Sequence, residues 1–246
     1  GSKDIVEYAV KRSWYDPEKE GNFHFARAYT AERSIDHPGN IRRMMRGVNL
    51  LSGKQYKEDD DLPFSFEPEK KISISDIKAV LRDHYEGTER DKTDHYALGN
   101  PHEMNESTIC ASHTRFSMIV NLRNDLPAEM STVLWLAPHR PCVQAFTPWY
   151  PGIRSIPEGY AYTDYETAMK EHFDPPESIF EANETHHYWK FVERVKKIDQ
   201  NYKQNIKSAR TRYTEIEESI AAEQSDFEKK VLVIYQSDPD KARQML

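Results

Sequence analysis

The chain has 246 residues, enough for one large domain or two small ones. Its 34 basic and 41 acidic residues give a net charge of -7, which disfavours a nucleic-acid binder, and no apolar run is long enough to cross a membrane. The hydrophobic fraction of 37% and mean hydropathy of -0.85 are low for a free-standing globular domain.

Gly1-Ser2, with no Met, reads as the remnant of a cleaved tag, which puts the native start upstream and leaves the compartment unreadable. Residues 4–14 predict a short helix with Ile5, Val6, Ala9 and Val10 on one side. Phe23 to Tyr29 alternates and predicts a strand. Pro38-Gly39 precedes a helix over 39–51, and Ser73 or Ser75 can cap a helix from Ile74 to Tyr85 that Gly87 stops. Residues 88–106 lack a period and predict a long ordered loop.

Four runs then read as strands: Thr108–Ser112, Ser117–Arg123, Ser131–Pro138 and Pro141–Phe146. Their short connections imply antiparallel neighbours. Cys110 and Cys142, the two cysteines, fall in these runs and read as small buried hydrophobes rather than a disulfide framework or a zinc module. Between Pro176 and Pro239 there is no Pro or Gly, and apolar residues recur at steps of three and four from Tyr188 to Ile234. One helix over that seam would span about 70 Å. The seam predicts either a projecting coiled-coil arm or a hairpin broken between Asn205 and Tyr213. A hairpin would fold the basic stretch Lys190–Arg212 against the acidic stretch Glu215–Glu228.

An ordered series of segments carries a resemblance. Arg82–Thr88, Ser107–Thr114, Ser117–Arg123, Val133–Ala137 and Phe146–Gly152 together resemble the bacterial dipeptidases of the dipeptidase A type and, more distantly, the secernins. Asn22–Tyr29 and His186–Trp189 fit the same family. Asp83-His84, Ile109-Cys110 and Pro141-Cys142 also echo the penicillin-precursor acyltransferases. The resemblance implies an α+β fold, part of an N-terminal-nucleophile αββα sandwich with an antiparallel sheet and long C-terminal helices. It implies a cysteine amidohydrolase acting on dipeptides without a cofactor. In that family the mature N-terminal Cys attacks and its own α-amine, which titrates near neutrality, serves as base. Residue 1 here is Gly and both cysteines are internal. The chain therefore resembles an inactive internal or C-terminal fragment whose catalytic residue lies upstream. Residues 3–175 would form an incomplete sandwich core and residues 176–246 a helical region. Bare core and unpaired strand edges would make the fragment a homo-oligomer. A helical interaction protein without catalysis is the alternative.

Candidate pocket residues follow. His113, Thr114 and Arg115 sit between two strand-like runs, where Arg115 could hold a substrate carboxylate through parallel hydrogen bonds. Trp149 and Tyr150 could form an aromatic wall or a core plug. A Cys110–His113 pair is disfavoured because residues three apart in a strand face opposite ways. His84 reads as a residue at the negative end of a helix. His186-His187 has no third ligand at metal-site spacing, so no metal is expected there. Neither nucleic acid nor membrane is an expected partner; a dipeptide is the expected substrate of the parent enzyme.

Overall fold

The computed structural model describes residues 2–161 and 163–246, apart from the side chains of Glu32, Ile179 and Phe180. Gly1, half of the tag-like pair, lies outside them. Contacts divide the chain into two compact units, Gly1–Lys71 and Ile72–Leu246.

The first unit is helical: α1 (Ile5–Lys11), α2 (Phe25–Tyr29), α3 (Glu32–Ile35) and α4 (Pro38–Ser52). The strand expected over Phe23–Tyr29 is instead α2, because His24 caps it by accepting the Arg27 amide on Nδ1. In α4, Pro38 occupies the first turn and Gly53 at φ 71° closes the helix, the arrangement a helix end favours. Ala9, Tyr15 and Ala28 form this unit's small core.

The second unit is α+β. Helix α5 (Ile74–Leu81) begins at a capping box between Ser73 and Asp76. It ends four residues earlier than expected. Asp83 accepts the Tyr85 amide at 2.8 Å, and Tyr85 sits at φ 68°, outside the helical region. That turn sends His84 into the core instead of along a helix.

Three antiparallel strands follow in the order β1-β2-β3: β1 (Phe116–Leu122), β2 (Thr132–Pro138) and β3 (Thr147–Trp149). The short helix α6 (Ala128–Ser131) links the first two. The runs expected as strands at Thr108–Ser112 and Pro141–Phe146 are not strands. The first is held by single hydrogen bonds, such as Cys110 amide to Asp83 carbonyl. The second opens on a 3-10 turn, Pro141–Val143, where Pro141 has no amide to give a ladder. Pro148 is tolerated in β3 because β3 is an edge strand.

One sheet face buries Ile119, Val133, Trp135 and Ala137 against Ile74, Ile77, Ile220 and Phe227 of the helices. The other carries Phe116, Met118, Val120 and Leu122, with Phe116 62% and Leu122 75% exposed. A strand with its apolar side chains on both faces reads as one built to be covered twice.

The chain ends in α7 (Tyr165–Phe173), α8 (His187–Asp199), α9 (Tyr202–Ser237) and α10 (Pro239–Met245). The seam does break, at Gln200-Asn201 and not between Asn205 and Tyr213, which lie within unbroken α9. Asn201 is non-helical, and Asn205 donates back to the Lys197 carbonyl at 3.1 Å, satisfying an orphan acceptor at the end of α8. Ile198, Tyr202 and Ile206 share one core across the break. Among the described residues no ion pair joins the basic side chains of α8 to the acidic stretch of α9, and the two stretches meet only locally at Arg212–Glu215. Glu217 and Glu228 pair with Arg82, Lys78 and Arg123 from α5 and the sheet. Arg194 faces Arg212 instead, and burial with that neighbour lowers its pKa. Among the described residues no helix is long and apolar enough to cross a membrane.

Candidate functional site

The uncovered sheet face and α8 enclose a groove of about 710 Å³. Strand register puts Phe116 beside Pro138 and Leu136 beside Thr147, so these side chains share its floor with Trp149. Tyr188 and Phe191 of α8 make the opposite wall. Two guanidinium groups, Arg115 and Arg194, also line it, and no carboxylate pairs with either among the described residues. An apolar groove with a few convergent charged groups is the usual form of a small-molecule site.

A second cavity of about 1010 Å³ adjoins it, sharing Arg115, His186 and Tyr188. Glu171 of α7 is on its wall, and Glu171 Oε2 is buried without a hydrogen-bond partner. His139, also on this wall, is held neutral: burial first, then Arg140 and Arg115, push its pKa down to about 4.

Of the residues anticipated from sequence, Arg115 and Trp149 meet in the groove. Tyr150 turns into the sheet core, where its hydroxyl donates to Glu228 at 2.5 Å. His113 is exposed and Thr114 accepts the Ala111 amide on its hydroxyl; neither lines the groove. Arg194, Tyr188 and Glu171 were not anticipated, since helix periodicity marks α7 and α8 without revealing which residues face a cavity. His186 caps α8 through Nδ1, while His187 packs against Tyr160, so the adjacent pair diverges.

A second constellation is mostly interior, with His102 half-buried and the other three residues buried. His84, His102, Cys110 and Cys142 bring their Nε2 and Sγ donor atoms within 4.8 Å of one another. His84 Nδ1 meets Glu86 Oε1 at 3.1 Å and the Tyr96 hydroxyl at 3.3 Å. Burial alone would raise the Glu86 carboxyl, but His84 and Tyr96 outweigh it and hold it at about 2. The Cys110 thiol is pushed up by burial and by Cys142, whereas hydrogen bonds from Cys110 and both imidazoles hold Cys142 down against burial. Cys110 thus meets His102 and not His113, because residues 108–112 are not extended strand. In sequence Cys110 and Cys142 fall in strand-like runs, His84 at a helix end and His102 in a loop, so nothing there joins the four.

A probable dipeptidase of Salmonella dublin is 30% identical over 161 residues, 64% of this chain and 36% of that protein. A probable dipeptidase of Latilactobacillus sakei is 27% identical over 191 residues, 76% of this chain and 39% of its own length. Dipeptidase A of Lactobacillus helveticus is 31% identical over 106 residues, 43% of this chain and 22% of its own. The chain thus spans less than two-fifths of the length of these relatives. Residues 1–209 match the model of peptidase family C69, and the chain belongs to that family.

Proposed function

We propose that the parent protein hydrolyses dipeptides and that this chain supplies the groove that holds the substrate. The observation that carries the reading is the pair of unpaired guanidinium groups, Arg115 and Arg194, over an apolar groove, beside a cavity holding the unpartnered Glu171 oxygen. A dipeptide presents the complement: one carboxylate, one ammonium and two side chains. Arg115, common to both cavities, suits the carboxylate, and Glu171 suits the ammonium.

The attacking thiol, in this reading, is a mature N-terminal Cys outside the chain. Cys110 and Cys142 are 1% and 0% exposed and neither carries an α-amine. The thiol adds to the peptide carbonyl and the C–N bond breaks. The leaving amine takes the proton held by the α-amine, and water cleaves the thioester.

Incubating the purified chain with a panel of dipeptides tests this. No amino-acid release is expected. A longer polypeptide with the N-terminal Cys should cleave the panel, and Arg115→Gln should raise its KM roughly 10- to 100-fold, the loss of a charged hydrogen-bond pair. Turnover by the chain alone that disappears in Cys110→Ala or Cys142→Ala would place the nucleophile inside it and overturn the assignment.

A further inference from the structure

We propose that His84, His102, Cys110 and Cys142 bind one structural zinc-class ion in a closed, four-coordinate site. The inference is independent of the substrate groove.

Distances come first. His84 Nε2 and His102 Nε2 are 3.1 Å apart; Cys110 Sγ and Cys142 Sγ lie 3.7 and 3.8 Å from His102 Nε2. A tetrahedral ion with zinc–nitrogen bonds of about 2.0 Å and zinc–sulfur bonds of about 2.3 Å spaces nitrogens about 3.3 Å apart and nitrogen from sulfur about 3.5 Å. The three edges that meet at His102 Nε2 match such a tetrahedron, and all four donors lie within 4.8 Å of one another.

The outer partners come second. A ligating imidazole gives its other N–H to an acceptor, which aims the lone pair at the metal. His84 Nδ1 faces the Glu86 carboxylate. His102 Nδ1 faces Asn100 Oδ1 at 2.8 Å and Arg140 Nη1 at 2.6 Å, one an acceptor and one a donor. Arg140 can only donate, so without an ion Nδ1 accepts from it, whereas a metal on Nε2 would move the ring proton to Nδ1, facing Asn100. Asn100 Oδ1 also takes the His102 amide, and its Nδ2 donates to Asp199, so its carbonyl is fixed toward the ring. With Nδ1 of each ring turned to an outer partner, both Nε2 atoms and both sulfurs converge on one point, and a bound cation would replace the hydrogen bonds that Cys110 and the imidazoles give Cys142.

Chemistry and place come third. Two thiolates with two imidazoles are a soft donor set that suits zinc and not calcium or magnesium. His84, Cys110 and Cys142 are buried and His102 is half-buried, and the surrounding core is Val195, Ile198, Tyr202 and Ile206. The ligands come from four segments with no sheet ladder between them: the turn after α5, the 3-10 turn Pro101–Glu103, the loop at Cys110 and the turn Pro141–Val143. An ion would staple these irregular segments to one another and to the α8–α9 hairpin.

The test is metal content of the full chain, purified without chelator, by mass spectrometry, followed by cobalt substitution. The expected result is about one zinc per chain, retained through dialysis and lost in Cys142→Ser. Cobalt should then give the visible bands of a tetrahedral ion with thiolate-to-cobalt charge transfer. Because Cys142→Ser could fail to fold, the unaltered chain is also read: zinc should displace cobalt and erase the bands. Three results would each overturn the proposal. One is a chain refolded with excess zinc that binds none and has two titratable thiols. Another is a Cys110–Cys142 disulfide in the intact mass. The third is cobalt bound without charge transfer, which would place the ion elsewhere.

Discussion

Glu217 is the charge whose removal should cost the second unit most. It projects from α9 into the space between α5 and the loop before β3. Arg82 Nη2 meets its Oε1 at 2.6 Å, Lys78 Nζ meets its Oε2 at 3.4 Å, and the Phe146 amide donates to Oε1 at 2.6 Å. The side chains of Lys78 and Arg82 are only 9% and 11% exposed. Burial lowers the pKa of Lys78, and Glu217 is what counteracts it. Glu217→Gln keeps the shape and removes the charge, leaving two buried cations with no carboxylate. Breaking a buried pair from one side costs about 3–5 kcal/mol. For a unit of this size that lowers the melting temperature by roughly 10 °C. Urea unfolding measures the free energy directly. Lys78→Met in the Glu217→Gln background should recover part of the loss, since it removes one stranded charge. The exposed Lys229–Asp226 pair is the control: Asp226→Ala should change stability by less than about 0.5 kcal/mol. A Glu217→Gln cost below about 1 kcal/mol would refute the reasoning, because the cations would then be solvated without their partner.

Three further outcomes follow from the same geometry. Tyr150→Phe, which strips Glu228 and Gln224 of a buried hydroxyl partner, should destabilise the chain by about 1–2 kcal/mol in the same unfolding assay. The folded His139 resists protonation until about pH 4, while in the unfolded chain it titrates near its ordinary value. The unfolded state therefore binds the extra proton between those values, and His139 removes up to roughly 3 kcal/mol of stability as pH falls from about 6.5 to 4. His139→Asn, which tolerates the left-handed backbone at φ 61°, should flatten that part of the profile, and an unchanged slope would refute the assignment. Leu122→Glu, on the exposed apolar face of β1, should shift sedimentation toward smaller species; a wild-type chain that is monomeric at high concentration would count against self-association there.

Local chemistry made much of the fold readable. The Pro38 start of α4, the Ser73 cap of α5 and the apolar runs of β1 and β2 with their turn-like connection each depend on residues within a turn or two of the element they set. What was not readable depends on distant partners. Phe23–Tyr29 alternates like a strand, yet with no neighbouring strand the His24 cap decides for helix. The turn at Asn201 carries neither Gly nor Pro; it exists because Asn205 can satisfy α8's end, a contact that the spacing of apolar residues does not show. At the groove, Arg115 and Trp149 stood out because they border strands. Arg194 did not, because in sequence it is one more cation on a basic helix. The His84, His102, Cys110 and Cys142 group was invisible for the same reason. Its members are irregularly spaced, and only the two cysteines lie in strand-like text, so neither a metal-motif spacing nor a facing argument joins them.

The most direct test of the substrate groove is a nuclear magnetic resonance titration of the chain with a simple dipeptide and, separately, with its C-terminal amide. The Trp149 indole N–H, which donates to Thr147 Oγ1 at 3.2 Å, is the reporter, identified by its loss in Trp149→Phe. The account predicts that the free dipeptide shifts this resonance, that the amide does so at least about tenfold more weakly, and that Arg115→Gln abolishes the difference. Equal responses to dipeptide and amide, or a shift unaffected by Arg115→Gln, would contradict carboxylate recognition in this groove.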